Sequence, residues 1–195
     1  MTRGSYRVNA PRTLLIVSTL LGSWLGMQAV HELGHAVGAW ATGGRVARVV
    51  LHPLTISRTD LAENPHPGIV AWAGPLVGGA APLLLWLLAR VARLPGSYVL
   101  RFFAGFCWIA NGAYLAFGAI QGVGDAGDLL RHGSPACLLW LFGGVAVPAG
   151  LGLWHRQSRH FGLGPEPDGV SPRVAWTVAL ACALLLMLGL VLNGY

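Results

Sequence analysis

The chain has 195 residues, enough for one domain of ordinary size, and is 54% hydrophobic with only 10% charged residues. Soluble domains carry about 25% charged residues, so a water-soluble globule is excluded. The net charge of +6 rests on 13 basic residues, every one an Arg, set singly at the ends of apolar runs with no basic stripe, a pattern of membrane flanks and not of nucleic-acid binding.

Five stretches free of Asp, Glu, Arg and Lys each approach the length needed to cross a bilayer. The first, 13–30, is predicted to continue as one helix through His31-Glu32-Leu33-Gly34-His35 to about Trp40. A cleaved signal peptide is disfavoured there, because cleavage would fall close to His31 and discard the helix that carries it. The segment 43–58 opens with Gly43-Gly44, is rich in Val and Ile and is broken by Pro53. It is read as two short strands, a hairpin at the membrane surface or dipping into it. Residues 59–68 read as a loop into the second span, 67–89. The third span is 102–124, followed by a Gly-rich segment with Asp125 and Asp128, then a fourth span at 133–154. A polar loop, 156–173, leads to the last span, 174–195. Gly and Ala are dense at 71–82, 102–120 and 141–150, as expected where helix backbones approach closely in lipid. Cys107, Cys137 and Cys182 lie in apolar runs without Cys-x-x-Cys spacing and read as small packing residues. The expected fold is an all-α polytopic membrane protein with about five transmembrane helices and a small membrane-associated β-hairpin after the first. It forms a single integral-membrane domain over 1–195.

Arginine placement sets the expected orientation. With the N-terminus inside, Arg3, Arg7, Arg12, Arg90, Arg93, Arg101, Arg156, Arg159 and Arg173 face the cytoplasm, and Arg45, Arg48, Arg58 and Arg131 face outward. The positive-inside rule then puts the N-terminus in the cytoplasm. The cell membrane is the expected location.

The first helix carries the chemistry. His31 and His35 are four residues apart, so they lie one turn apart on one helical face and can bind one zinc ion. Glu32 follows the first histidine and stands to the side, where it can activate water as general base. This is the His-Glu-x-x-His pattern of zinc hydrolases. A glutamate in a span is costly unless it has a partner, and a Glu–His pair tying helices together is the structural alternative. Zinc with two neutral histidines needs a third protein ligand, and an acidic one is favoured. Zn²⁺, one aspartate and Glu32 then sum to zero charge, which accounts for two carboxylates at membrane depth. Asp60, Glu63, Glu166, Asp168, Asp125 and Asp128 are the candidates. The last two are favoured because Gly122, Gly124 and Gly127 loosen the helix beside them, although either could instead be a helix cap. His52, His66 and His132 read as solvated loop histidines.

His31–His35 in a span, then Gly43-Gly44-Arg45-Val46, then Ala73-Gly74-Pro75-Leu76-Val77-Gly78-Gly79 opening a second span, then an Asp near the end of a third, resembles the site-2 protease family of intramembrane zinc metalloproteases. More closely, it is similar to the short relatives of that family that lack a PDZ domain. The resemblance covers 13–135, a three-helix metalloprotease core, and leaves 136–195 as two additional transmembrane helices. It implies that His31, His35 and an Asp bind zinc and that Glu32 activates water. Gly124-Asp125-Ala126-Gly127-Asp128-Leu129-Leu130 matches the family's Asp-Gly-Gly-x-x-Leu element with Asp125 in the ligand position and Ala126 in place of Gly. Asn111 stands fourteen residues before Asp125, further than the family spacing, with no Pro three residues on.

The expected reaction is hydrolysis of a peptide bond in a transmembrane protein substrate, at or within the lipid. Zinc would stabilise the oxyanion, together with a polar group such as Asn111 or Gln121. The strands near 44–58 would hold the locally unwound substrate by strand addition. One rival reading is a catalytically inactive zinc-binding membrane protein that binds a partner helix. Another is a transporter, disfavoured because the intramembrane charges cluster at one site.

Overall fold

The computed structural model describes residues 10–52, 56–164 and 168–193. Arg3, Arg7, Pro53 and Glu166, and the final residues of the last expected span, lie outside them. Helix α1 spans Ala10–Ala41, followed by strands β1 (Arg45–Val50) and β2 (Arg58–Glu63). Then come α2 (Pro67–Val91), α3 (Ser97–Gln121), the short α4 (Gly124–Arg131), α5 (Ala136–Trp154) and α6 (Pro172–Asn193), with one 3₁₀ turn at Ser158–Phe161. Five of these helices are long and apolar enough to cross a membrane. The mostly helical architecture with a small antiparallel sheet after the first helix agrees with the expectation from sequence.

Helix α1 continues through the His-Glu motif because nothing between Ala10 and Ala41 breaks it. It stops where Gly43 takes φ 77° and the Gly44 N–H reaches back to the Ala39 carbonyl at 2.7 Å. That is a Schellman-type stop, in which glycine carries the left-handed residue at little cost. Helix α3 ends earlier than its apolar run. Gly122, at φ 67°, closes it by donating to the Gly118 carbonyl at 2.8 Å, and the chain turns into α4.

The hairpin differs from the expected one in its second strand. Residues 59–63 read as loop because Asp, Glu and Ala are poor strand formers, yet with Arg58 they form β2 and pair antiparallel with β1, Val49 opposite Thr59 and Arg45 opposite Glu63. Pairing with β1 satisfies the backbone, and cross-strand Arg45–Glu63 contact at 2.9 Å supports the register. Low local propensity is overridden by the partner strand.

Small residues let the helices meet. Gly34 of α1 faces Ala73 and Gly74 of α2, and Gly38 faces Val70 and Ala73, so these helices run antiparallel. Gly105, Gly112 and Ala116 of α3 meet Gly150, Ala146 and Gly143 of α5, also antiparallel. Helix α6 lies along α1 in the same direction, Cys182 against Gly22 and Leu185 against Gly26. Cys107 and Cys182 are buried, whereas Cys137 is exposed, which departs from a packing role for all three. The outward faces carry Leu20, Leu21, Leu88, Phe117 and Leu184, an apolar surface suited to lipid.

This helix order makes a testable statement about sides. With the native cysteines replaced, a single cysteine at position 45 and one at position 131 should label from the same side of the membrane, and one at position 93 from the other. Labelling of 45 and 131 from opposite faces would contradict the parallel arrangement of α1 and α3.

Candidate metal centre

One stripe of α1 is polar and buried: Gln28, His31, Glu32 and His35. The spacing explains it, since residues three, four and seven apart share a helical face. All four line a cavity of about 1230 Å³ bounded also by Thr59 of β2, Val70 of α2 and Asn111 and Tyr114 of α3. The two imidazoles stand edge to face with ring centroids 4.7 Å apart.

Each imidazole is held by its Nδ1. His31 Nδ1 lies 2.6 Å from Asn111 Oδ1, and the Asn111 amide nitrogen donates to the Cys107 carbonyl at 2.8 Å. That second bond fixes the amide so that its oxygen faces the histidine. His35 Nδ1 donates to the Val70 carbonyl at 2.8 Å. Both Nδ1 atoms meet acceptors, so they carry the protons of the neutral rings, and both Nε2 atoms present lone pairs.

Those lone pairs converge on Asp125. His31 Nε2 is 2.8 Å and His35 Nε2 is 3.3 Å from Asp125 Oδ2, and the two Nε2 atoms are 3.1 Å apart. His31, His35 and Asp125 thus form a group whose ligand atoms all lie within 4.8 Å of one another. An aspartate carboxylate is ordinarily ionised at neutral pH, the form that attracts a cation.

Asp125 arrives through the break after α3. Gly122 and Gly124 both have positive φ, and α4 begins with Asp125 in its first turn. The Tyr114 hydroxyl accepts from the Asp125 backbone N–H at 3.3 Å. The N-cap position belongs to Val123, without a side-chain cap, so Asp125 is not a capping residue. Asp128 lines the same cavity but its carboxylate pairs with Arg131. Asp60 pairs with Arg58 at 3.1 Å and Glu63 with Arg45, and Asp168 lies 2.6 Å from His160. None of these joins His31 and His35. His132 donates to the Asp128 carbonyl at 2.7 Å, and His66 stands at the start of α2.

Glu32 is 3% exposed, and its Oε2 accepts from the Thr59 hydroxyl at 2.8 Å. Thr59 was legible only as loop, since nothing in a lone Thr announces a partner twenty-seven residues away. The oxyanion roles expected for Asn111 and Gln121 do not fit. Both polar ends of Asn111 are engaged, and Gln121 is exposed at the end of α3, outside the cavity lining. Two glycines of α2 make room for the site: a Cβ on Gly74 would overlap the His35 ring, and one on Gly78 would stand 2.9 Å from the Asn111 amide nitrogen. Their sequence signal was density of small residues, which reads equally as plain packing.

Residues 12–122 match the model of a family described as Peptidase M50B-like. The match covers more than half of the chain, takes in His31, Glu32, His35 and Asn111, and ends before Asp125. No curated protein matches the chain and no solved structure does.

Proposed function

Because the chain belongs to the Peptidase M50B-like family, we propose that it is an intramembrane zinc metalloprotease that hydrolyses peptide bonds of membrane-embedded protein substrates. The observation that carries this reading is the convergence of two Nε2 lone pairs and one carboxylate oxygen, with no proton donor among them. Three such groups repel each other unless a cation lies between them. Zinc at about 2.0–2.2 Å from nitrogen and oxygen ligands in tetrahedral geometry separates its ligands by about 3.3 Å. The spacings of 2.8, 3.1 and 3.3 Å fall near that value. Two neutral imidazoles, Asp125 and Glu32 also balance a doubly charged ion, which suits a site in lipid.

His31, His35 and Asp125 would hold the ion. When bound, zinc supplies Lewis acidity, bringing the pKa of water to about 7 and polarising a carbonyl. Glu32 takes the proton of the attacking water and delivers it to the leaving amine. Thr59 holds the Glu32 carboxylate in position from the hairpin. Asn111 and the Val70 carbonyl keep both histidines in the tautomer that binds metal. The hairpin edge receives the unwound substrate by strand addition, supplying the backbone bonds that the substrate helix gives up. The arginine distribution supports an N-terminus in the cytoplasm with α1 carrying His31 toward the outer half, and the cell membrane is the proposed location. The three-helix core over 13–135 and the two extra helices at 136–195 remain the proposed division of this single domain.

The test is co-expression with single-span membrane proteins, comparing wild type with Glu32→Gln for a cleaved product. Cleavage retained in Glu32→Gln would overturn Glu32 as the general base, and no cleavage by wild type would favour the inactive zinc-binding alternative. A second expectation separates positioning from metal ligation. Asn111→Leu should weaken zinc binding by roughly 10–100-fold while the fold persists, read by competition with a chromophoric chelator. Unchanged affinity would remove Asn111 from the site.

A further inference from the structure

On the cavity wall nearly every buried polar group has a partner. His31, His35 and Glu32 are tied to Asn111, Val70 and Thr59. Gln28 is the exception. It is 7% exposed, and its amide Nε2 is buried without any hydrogen-bond partner. An unpaired buried donor is costly. Nothing in helix propensity calls for Gln at this position, since Leu is an equal helix former.

The place of Gln28 says what it takes. It precedes His31 by three residues and Glu32 by four, on the same buried stripe, and the cavity continues along α1 past it to Met27 and Trp24. An amide N–H₂ group binds acceptors, and the commonest acceptor on an unwound peptide is its backbone carbonyl. Four helical residues advance about 6 Å. In an extended chain, carbonyls two residues apart point the same way and are separated by about 6.5–7 Å. A peptide laid along α1 with one carbonyl at the histidine cluster therefore brings a second to Gln28, whose amide nitrogen, sealed from solvent as it stands, must turn toward the cavity to meet it.

We propose that the Gln28 carboxamide binds a backbone carbonyl of the unwound substrate two residues from the bond that is cut. This rests on the peptidase reading and adds to it a contact that ignores side-chain identity. Such a contact favours any segment that has given up its helical hydrogen bonds over one that retains them. Gln28 is here a substrate-binding residue, with no part in the proton transfers.

The test uses zinc-loaded full-length protein in detergent and a fluorescent peptide hydroxamate whose hydroxamate anchors at the zinc centre. Its twin carries a trans-alkene in place of the amide two residues away, keeping shape and removing the carbonyl. Wild type should bind the amide probe about tenfold more tightly than the alkene, the yield of one well-made hydrogen bond. Gln28→Leu and Gln28→Met should bind both probes equally, at the affinity of wild type for the alkene. Both variants should keep their zinc and melt at or above the wild-type temperature, since an unpaired donor has been removed. Variants that still prefer the amide tenfold would overturn the inference and leave the zinc site standing. Variants that lose zinc and melt lower would assign Gln28 to packing and overturn it too. A wild-type chain that binds zinc but neither probe would overturn the peptidase reading and this inference with it.

Discussion

Glu32→Gln should keep one zinc ion per chain and lose hydrolysis by roughly 10²–10⁴-fold, the usual contribution of a positioned general base. The geometry separates the two effects. Glu32 is outside the group of converging ligand atoms, and its carboxylate instead meets the Thr59 hydroxyl. The amide of Gln can still accept from Thr59, so the hairpin contact survives while the base is lost. Removing the imidazoles acts differently. His31→Ala combined with His35→Ala removes two of the three proposed ligands, and both metal and activity should disappear. Metal content by elemental analysis beside cleavage of a co-expressed single-span protein reads both quantities. Full zinc occupancy in the double variant would refute the centre.

Asp125→Ala should lose zinc by more than the roughly 10–100-fold expected for an outer hydrogen-bond partner, while Asp128→Ala should stay close to wild type. Sequence spacing leaves the pair equivalent, because both lie on one short helix. The fold separates them: Asp125 Oδ2 stands 2.8 Å from His31 Nε2, and the Asp128 carboxylate is engaged by Arg131. Removal of Asp125 also leaves two lone-pair nitrogens 3.1 Å apart facing each other without the carboxylate. Asp125→Asn keeps the size and loses the charge, and it should bind zinc more weakly than wild type. Chelator competition on purified protein ranks the variants, and a larger loss in Asp128→Ala would move the ligand there.

The sequence by itself determined the class and the heart of the candidate site. A chain with 10% charged residues and runs long enough to span a bilayer has few folds open to it, since lipid demands backbone bonds closed within each segment. His31, Glu32 and His35 are legible because helical periodicity is local: a spacing of four residues fixes a shared face whatever surrounds it. Asp125 was legible as a candidate through its glycines and its family likeness, but only the turn at Gly122 and the packing of α4 carried it to the histidines. The tertiary structure alone decided the rest. Thr59 reaches Glu32 because β2 pairs with β1, although Arg58–Glu63 has poor strand propensity. Asn111 orients His31 and not an oxyanion, because Gly78 leaves space for its amide between α2 and α3. The Val70 carbonyl and Gly74 serve His35 through the antiparallel approach of α2. These are contacts between residues tens of positions apart, made by side chains, a backbone carbonyl and the room that glycines leave. No local pattern encodes them, because their energy exists only once the helices have packed.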